Sequence, residues 1–179
     1  NVALAELDSG HHPARQRLAF EELLAHQLSL RRLRQQVQQQ AAPPLSGAAG
    51  WSRRFLNRVP FTLTGSQQRV LKEIAADIAQ PHPMLRLLQG DVGSGKTVVA
   101  AAVALRAVDI GAQAALMAPT ELLAEQHYRN FHDWLQPLGI EVAWLTKRLT
   151  GRARRTLLDR LAAGEIHVVV GTHALFQET

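Results

Sequence analysis

Eight consecutive residues, Gly90-Asp91-Val92-Gly93-Ser94-Gly95-Lys96-Thr97, carry the spacing G-x-x-x-x-G-K-[ST] of a phosphate-binding loop. The chemistry needs these residue types. Gly93 and Gly95 let backbone N–H groups close around phosphate oxygens with no Cβ in the way, and Gly90, Asp91 and Ser94 complete the loop. A helix that begins near Lys96 aims the positive end of its dipole at the same phosphates. Lys96 is placed to reach the β- and γ-phosphates of a nucleoside triphosphate, and the Thr97 hydroxyl to ligate Mg²⁺.

The flanking sequence suits such a loop. Residues 84–88, Met-Leu-Arg-Leu-Leu, read as a short buried strand, and the apolar run 98–105 reads as a buried helix. Further along, strands are expected at 114–117, 142–145 and 166–170. Helices are expected at 120–135, closed by Pro137 and Gly139, and at 151–163, stopped by Gly164. Upstream, Thr64 or Ser66 can cap a helix running to about residue 79. Strands alternating with helices predict an α/β fold of the RecA-like P-loop type with a mostly parallel sheet. A long helix over 14–37 precedes it, opened by Pro13. Phe20, Leu23, Leu24, Leu28, Leu30, Leu33 and Val37 lie on one broad face, with a basic flank of Arg15, Arg17, Arg31, Arg32 and Arg34. That helix reads either as a packing element with solvated arginines or as a strut facing DNA. Residues 35–50 lose periodicity and read as a linker.

With 46% hydrophobic and 20% charged residues the composition is that of a globular chain with a real core. The net charge of +5 favours a polyanionic partner. The absence of cysteine excludes a disulfide scaffold and thiolate metal sites. No apolar run is long enough to span a bilayer, so no membrane partner is expected. The histidines do not suggest a metal site: His127 and His132 are five apart on a helix and no H-E-x-x-H spacing occurs. The chain begins with Asn1 and reads as a piece of a longer protein.

In open parallel sheets, ligands bind beyond the carboxyl ends of the strands. The segments Pro119-Thr120-Glu121 and Gly171-Thr172-His173 follow two of the expected strands and share that edge with the phosphate loop. Hydroxyls at helix N-termini suit nucleic-acid phosphates, although Thr120 serves equally as a plain N-cap.

Four strings taken together, Phe61-Thr62-Leu63-Thr64-Gly65-Ser66-Gln67, the loop 90–97, Ala118-Pro119-Thr120-Glu121-Leu122-Leu123-Ala124-Glu125-Gln126-His127 and Gly171-Thr172-His173-Ala174-Leu175-Phe176-Gln177, resemble the RecG family of bacterial superfamily 2 DNA helicases. Residues 18–24, Leu-Ala-Phe-Glu-Glu-Leu-Leu, are similar to the helix that joins this family's DNA-binding wedge domain to its motor. The resemblance implies two parts: residues 1–50 as helix and flexible linker from the end of the wedge, and 51–179 as the first RecA-like motor lobe, ending before the acidic Mg²⁺-binding motif. It implies ATP and Mg²⁺ as cofactors, with Gln67 reading the adenine edge. It also implies DNA, branched or single- or double-stranded, held through Pro119, Thr120, Glu121, Thr172 and His173. The parent protein would be a monomeric ATP-driven motor in the bacterial cytoplasm, associated with the nucleoid, that remodels stalled forks and junctions in recombination and repair. Read without the resemblance, Gln67 is simply a solvated helix residue.

One departure stands out. Where the family often has Thr-Gly-Ser after the third strand, this chain has Thr146-Lys147-Arg148, which puts a DNA contact there in doubt, although both cations can meet phosphate electrostatically. No strand of the sequence ends in Asp-Glu, so the acid box that a phosphoryl-transfer motor needs has no substitute here. Three other readings stay open. The transcription-repair coupling translocases have a similar loop, but typically with Phe at the place of Ser94. A small-molecule P-loop kinase would lack the two threonine loops. The third is a nucleotide- and DNA-binding fragment without activity of its own.

Overall fold

The computed structural model describes residues 12–176. Its helices are α1 (Pro13–Gln38), α2 (Gly50–Leu56), α3 (Gly65–Ile78), α4 (Lys96–Asp109), α5 (Glu121–Leu135) and α6 (Gly151–Ala162). Its strands are β1 (Ala114–Met117), β2 (Val142–Leu145) and β3 (Val168–Gly171), with single 3₁₀ turns at Gln136–Leu138 and His173–Leu175. The chain forms two compact units, one of residues 1–43 with 81–86 and one of 44–80 with 87–179. Among the described residues no helix is long and apolar enough to cross a membrane.

In the first unit, α1 starts as its sequence dictates. Pro13 occupies the first turn, and His12 caps it by accepting the Ala14 N–H at 3.2 Å. The expected apolar face exists in the pattern, but no residue of the helix is buried. Phe20 is 60% exposed and Leu23 66%. Local propensity in a Leu-, Ala-, Gln- and Arg-rich segment is enough to wind the helix, while burial needs a partner surface that the pattern cannot supply.

The second unit carries the sheet. Its order is β1-β3-β2 and both pairings are parallel. Ala114 and Val142 both lie opposite Val168, and Met117 and Leu145 both lie opposite Gly171, so the three strands end level. β3 is paired on both edges and buried along its length, which suits an unbroken Val-Val-Val run. α4 covers the sheet with Ala101, Ala102 and Leu105, all at 0% exposure; the two alanines permit close approach. Phe131 and Leu135 of α5 complete this core with Val168 and Val170.

α2 was not foreseen from the sequence, where its seven residues fall at the edge of the low-periodicity stretch. It is held from outside. The Trp51 N–H donates to Asp109 Oδ1 at 2.9 Å, Arg106 Nη2 donates to the Leu45 carbonyl at 3.1 Å, and Phe55 is 1% exposed with its ring 5.8 Å from Trp134.

The strand expected at 84–88 does not form. The segment has no ladder partner among the described residues, and Leu85 and Leu87 are 60% and 80% exposed. A strand is a pairing and not a local conformation: an apolar run with no neighbour to accept its N–H groups stays irregular.

Burial separates two aromatic residues that the sequence presents alike. Phe55→Ala should cost about 3–5 kcal/mol of stability, whereas Phe20→Ala on the exposed face of α1 should stay within about 0.5 kcal/mol. Denaturant melts of both variants check this. A large loss at Phe20 would show that the α1 stripe is covered in solution.

Candidate nucleotide site and threonine edge

Residues 90–97 form a compact loop leading straight into α4. Gly93 (φ 81°) and Gly95 (φ 80°) adopt the left-handed conformation that other residues avoid, and Gly95 is the N-cap of α4. The Ser94 N–H closes the loop on the Asp91 carbonyl at 3.1 Å. Lys96 folds back over it, its Nζ donating to the carbonyls of Gly90 at 2.5 Å and Asp91 at 2.7 Å. Both acceptors are neutral carbonyls, and an anionic phosphate is the stronger partner for an ammonium. Thr97 sits in the first turn of α4, half-buried.

Gln67 comes from 27 residues upstream and joins this loop. Its Oε1 accepts the Thr64 N–H at 2.8 Å, while Thr64 Oγ1 accepts the Gln67 N–H at 3.2 Å. This reciprocal pair caps α3. The remaining amide donor reaches the Ser94 carbonyl at 2.8 Å. The approach is tight enough that a Cβ on residue 95 would lie 2.4 Å from Gln67 Nε2. Thr64, Gln67, Gly90, Ser94 and Lys96 thus line one cavity of about 320 Å³, which is the size class of a small-ligand pocket. The glycine turns, the ammonium held over the loop and the helix N-terminus fit a phosphate chain. Thr97 is the hydroxyl in place for a Mg²⁺ ion bound with it.

The second group of expected residues lies at the level strand ends. Pro119 and Thr120 follow β1 and are exposed. Thr120 caps α5 by accepting the Leu123 N–H at 3.3 Å. A hydroxyl both accepts and donates, so the capping role leaves its proton free to meet an acceptor outside. Thr172 differs: it is 5% exposed, and its hydroxyl donates to Glu121 Oε1 at 3.4 Å. His173 next to it is exposed. Gly171 is required by packing, since a Cβ there would lie 2.7 Å from the Leu145 carbonyl oxygen.

Sequence reasoning noted Thr146 only as part of a departure from the family pattern and missed its contact with Glu121. Its hydroxyl donates to Glu121 Oε2 at 2.8 Å, and the Lys147 N–H points at Glu121 Oε1 from 3.5 Å. Separations of 25 and 26 residues leave no local signal for these contacts. No group of three or more His, Cys, Asp or Glu able to hold a metal occurs among the described residues.

The chain is 55% identical over 178 residues to the ATP-dependent DNA helicase RecG of Pasteurella multocida and 54% identical over 177 residues to that of Escherichia coli K12, covering 99% of its own length in each case. The Aquifex aeolicus RecG is 40% identical over the same share of the chain. The chain spans about a quarter (26%) of the length of the first two relatives. A solved structure of RecG bound to a three-way DNA junction superposes with a TM-score of 0.84 at 42% identity, covering 93% of this chain and 23% of that one. The family model for DEAD/DEAH box helicases matches residues 64–179, from the cap of α3 through the nucleotide loop to the threonine edge, and the chain belongs to that family.

Proposed function

We propose that this chain is the nucleotide-binding part of the first motor lobe of an ATP-dependent DNA helicase that remodels branched DNA, such as stalled forks and junctions, in recombination and repair. The observation that carries the reading is the convergence of Gln67, Gly90, Ser94 and Lys96 on one cavity, beside an edge of strand-end threonines. The similarity to RecG helicases over 99% of the chain supports the DNA and branched-substrate part. The cellular setting that goes with it is the bacterial cytoplasm at the nucleoid, with a monomeric motor.

In this reading Gly93, Ser94 and Gly95 present backbone N–H groups to the phosphates, with Gly90 and Asp91 closing the loop behind them. Lys96 exchanges its carbonyl partners for β- and γ-phosphate oxygens, and Thr97 ligates Mg²⁺. The metal, when bound, neutralises charge on the phosphates. Gln67 faces the adenine from the rim while holding Ser94. At the other edge, Pro119 shapes the loop so that the exposed Thr120 hydroxyl meets a DNA phosphate, and the Thr172–His173 turn approaches the same strand. Phosphate contacts carry no base information, so this grip is indifferent to sequence and sensitive to salt.

Lys96→Ala removes a charge-assisted contact worth about 1.5–3 kcal/mol, roughly a 10- to 100-fold rise in Kd for ATP. Titration calorimetry reads this directly, and equal affinities would refute the loop assignment.

Gln67→Ala should lower the ATP/GTP affinity ratio. An amide can both donate to and accept from the adenine edge, a pattern that guanine reverses, and losing such paired contacts costs roughly 1–3 kcal/mol. If both nucleotides weaken equally, the residue acts only as the tether to Ser94.

The chain should bind ATP yet turn over almost none, with or without DNA. Of the carboxylates near these loops, Asp91 belongs to the phosphate loop and Glu121 is engaged by Thr146 and Thr172. An arginine finger alone contributes roughly 10³–10⁵ in rate in related NTPases, and ground-state binding does not replace it. Steady-state hydrolysis by this chain, compared with one extended through a second lobe, tests the point. DNA-stimulated turnover by the short chain would contradict it.

A further inference from the structure

We infer that Glu121 is a positioning residue: its carboxylate ties the loops after all three strands into one phosphate-facing edge and touches no DNA itself. The inference rests on the proposed DNA-binding role of that edge and goes beyond it in assigning which groups contact and which hold.

The three loops come from distant parts of the chain. Thr120 and Glu121 follow β1, Thr146 and Lys147 follow β2, and Thr172 follows β3. Each of the latter two loops sends a hydroxyl to Glu121. The Thr146 bond, at 2.8 Å, is the strong one. Those from Thr172 at 3.4 Å and from the Lys147 N–H at 3.5 Å are at the outer limit of hydrogen bonding. All three partners are donors in this arrangement. An ionised carboxylate is the side chain that only accepts, so it satisfies the whole array without a mismatched proton. Glu121 also occupies the first turn of α5, where the helix dipole favours a negative charge.

The pattern is opposite to what direct contact requires. A carboxylate repels phosphate, and this one is half-buried and turned inward to two threonines. Thr172 is 5% exposed and spends its proton on Glu121, so its hydroxyl is not the group that meets DNA. Thr120 is exposed, and among the described residues its hydroxyl takes part only as acceptor of the Leu123 N–H. The division of labour is therefore Thr120 as contact, Thr146 and Thr172 as struts, and Glu121 as the knot between them. By the same tie the Lys147-Arg148 turn is held at this edge, with both residues exposed.

The test turns on sign. A carboxylate that only lies near DNA hinders it, so removing the charge would tighten binding. A carboxylate that organises the edge gives the reverse. The Kd of a short duplex oligonucleotide is measured by fluorescence anisotropy at low salt for the unaltered chain and for Glu121→Ala, Glu121→Gln, Thr146→Val and Thr120→Ala. ATP affinity and thermal melting are followed in parallel. Glu121→Ala should weaken DNA binding roughly tenfold despite removing a negative charge, the scale of losing one partly buried acceptor. Glu121→Gln should recover most of it, since the threonine hydroxyls can accept from an amide as well as donate to it. Thr146→Val should weaken DNA binding with the charge intact, and it decides the matter if Glu121→Ala fails to fold. ATP affinity should not change in any of the three. If Thr120→Ala weakens binding while Glu121→Ala and Thr146→Val leave it unchanged or tighter, the positioning role is wrong and the DNA-binding reading stands. If the unaltered chain binds no DNA, both fail.

Discussion

Three parallel strands that end at the same level constrain the threonine edge of the second unit. Met117, Gly171 and Leu145 stand in one row, so the loops that follow leave the sheet side by side. The row exists because residue 171 has no side chain. A Cβ there would come within 2.7 Å of the Leu145 carbonyl oxygen, a backbone atom that cannot rotate away. With the row closed up, the hydroxyls of Thr146 and Thr172 come within reach of a single carboxylate. The glycine in Gly171-Thr172-His173 therefore serves the sheet, and the threonine after it inherits its place.

The nucleotide loop depends on a different support. α4 is anchored to the core by residues with 0% exposure, and its N-cap, Gly95, is the last turn of the loop. Loop conformation is thus continuous with a rigid helix, which is what keeps a set of backbone N–H groups convergent. On the open side the tether is Gln67. It couples the cap of α3 to the Ser94 carbonyl, so that α3 and the phosphate loop hold each other. A glutamine three residues after a threonine is legible as a capping box; that its Nε2 also donates across 27 residues to the Ser94 carbonyl is not.

Legibility followed the range of the interaction. The phosphate loop, the Thr120 cap and the bounds of α3, α5 and α6 rest on contacts within four residues or so, and local residue types report those faithfully. The parallel sheet was legible as alternation. The missing strand and the uncovered face of α1 share a cause. Residues 84–88 have strand composition but no ladder partner, and α1 has an apolar stripe that remains exposed. Hydrophobic patterning states what a segment can bury and is silent about whether a surface arrives to cover it. α2 erred in the other direction: a weak pattern is made helical by Asp109 and the packing around Phe55.

The departure at Thr146-Lys147-Arg148 bears on the charge balance of the edge. At the edge proposed to meet DNA, the half-buried Glu121 carboxylate would add negative potential, and over a Debye length of about 10 Å at 0.1 M salt that field would reach an incoming strand. Lys147 and Arg148 stand beside it, exposed, in the same turn whose backbone Glu121 accepts. Two cations against one anion leave the edge net positive. A glycine-serine turn would supply backbone flexibility but no charge. Here the charge is present and the turn is braced, by the Arg148 N–H on Thr146 Oγ1 at 3.3 Å and by Thr146 on Glu121. In the proposed reading, this turn would meet phosphate by electrostatics where a small-residue turn would do so by close backbone approach.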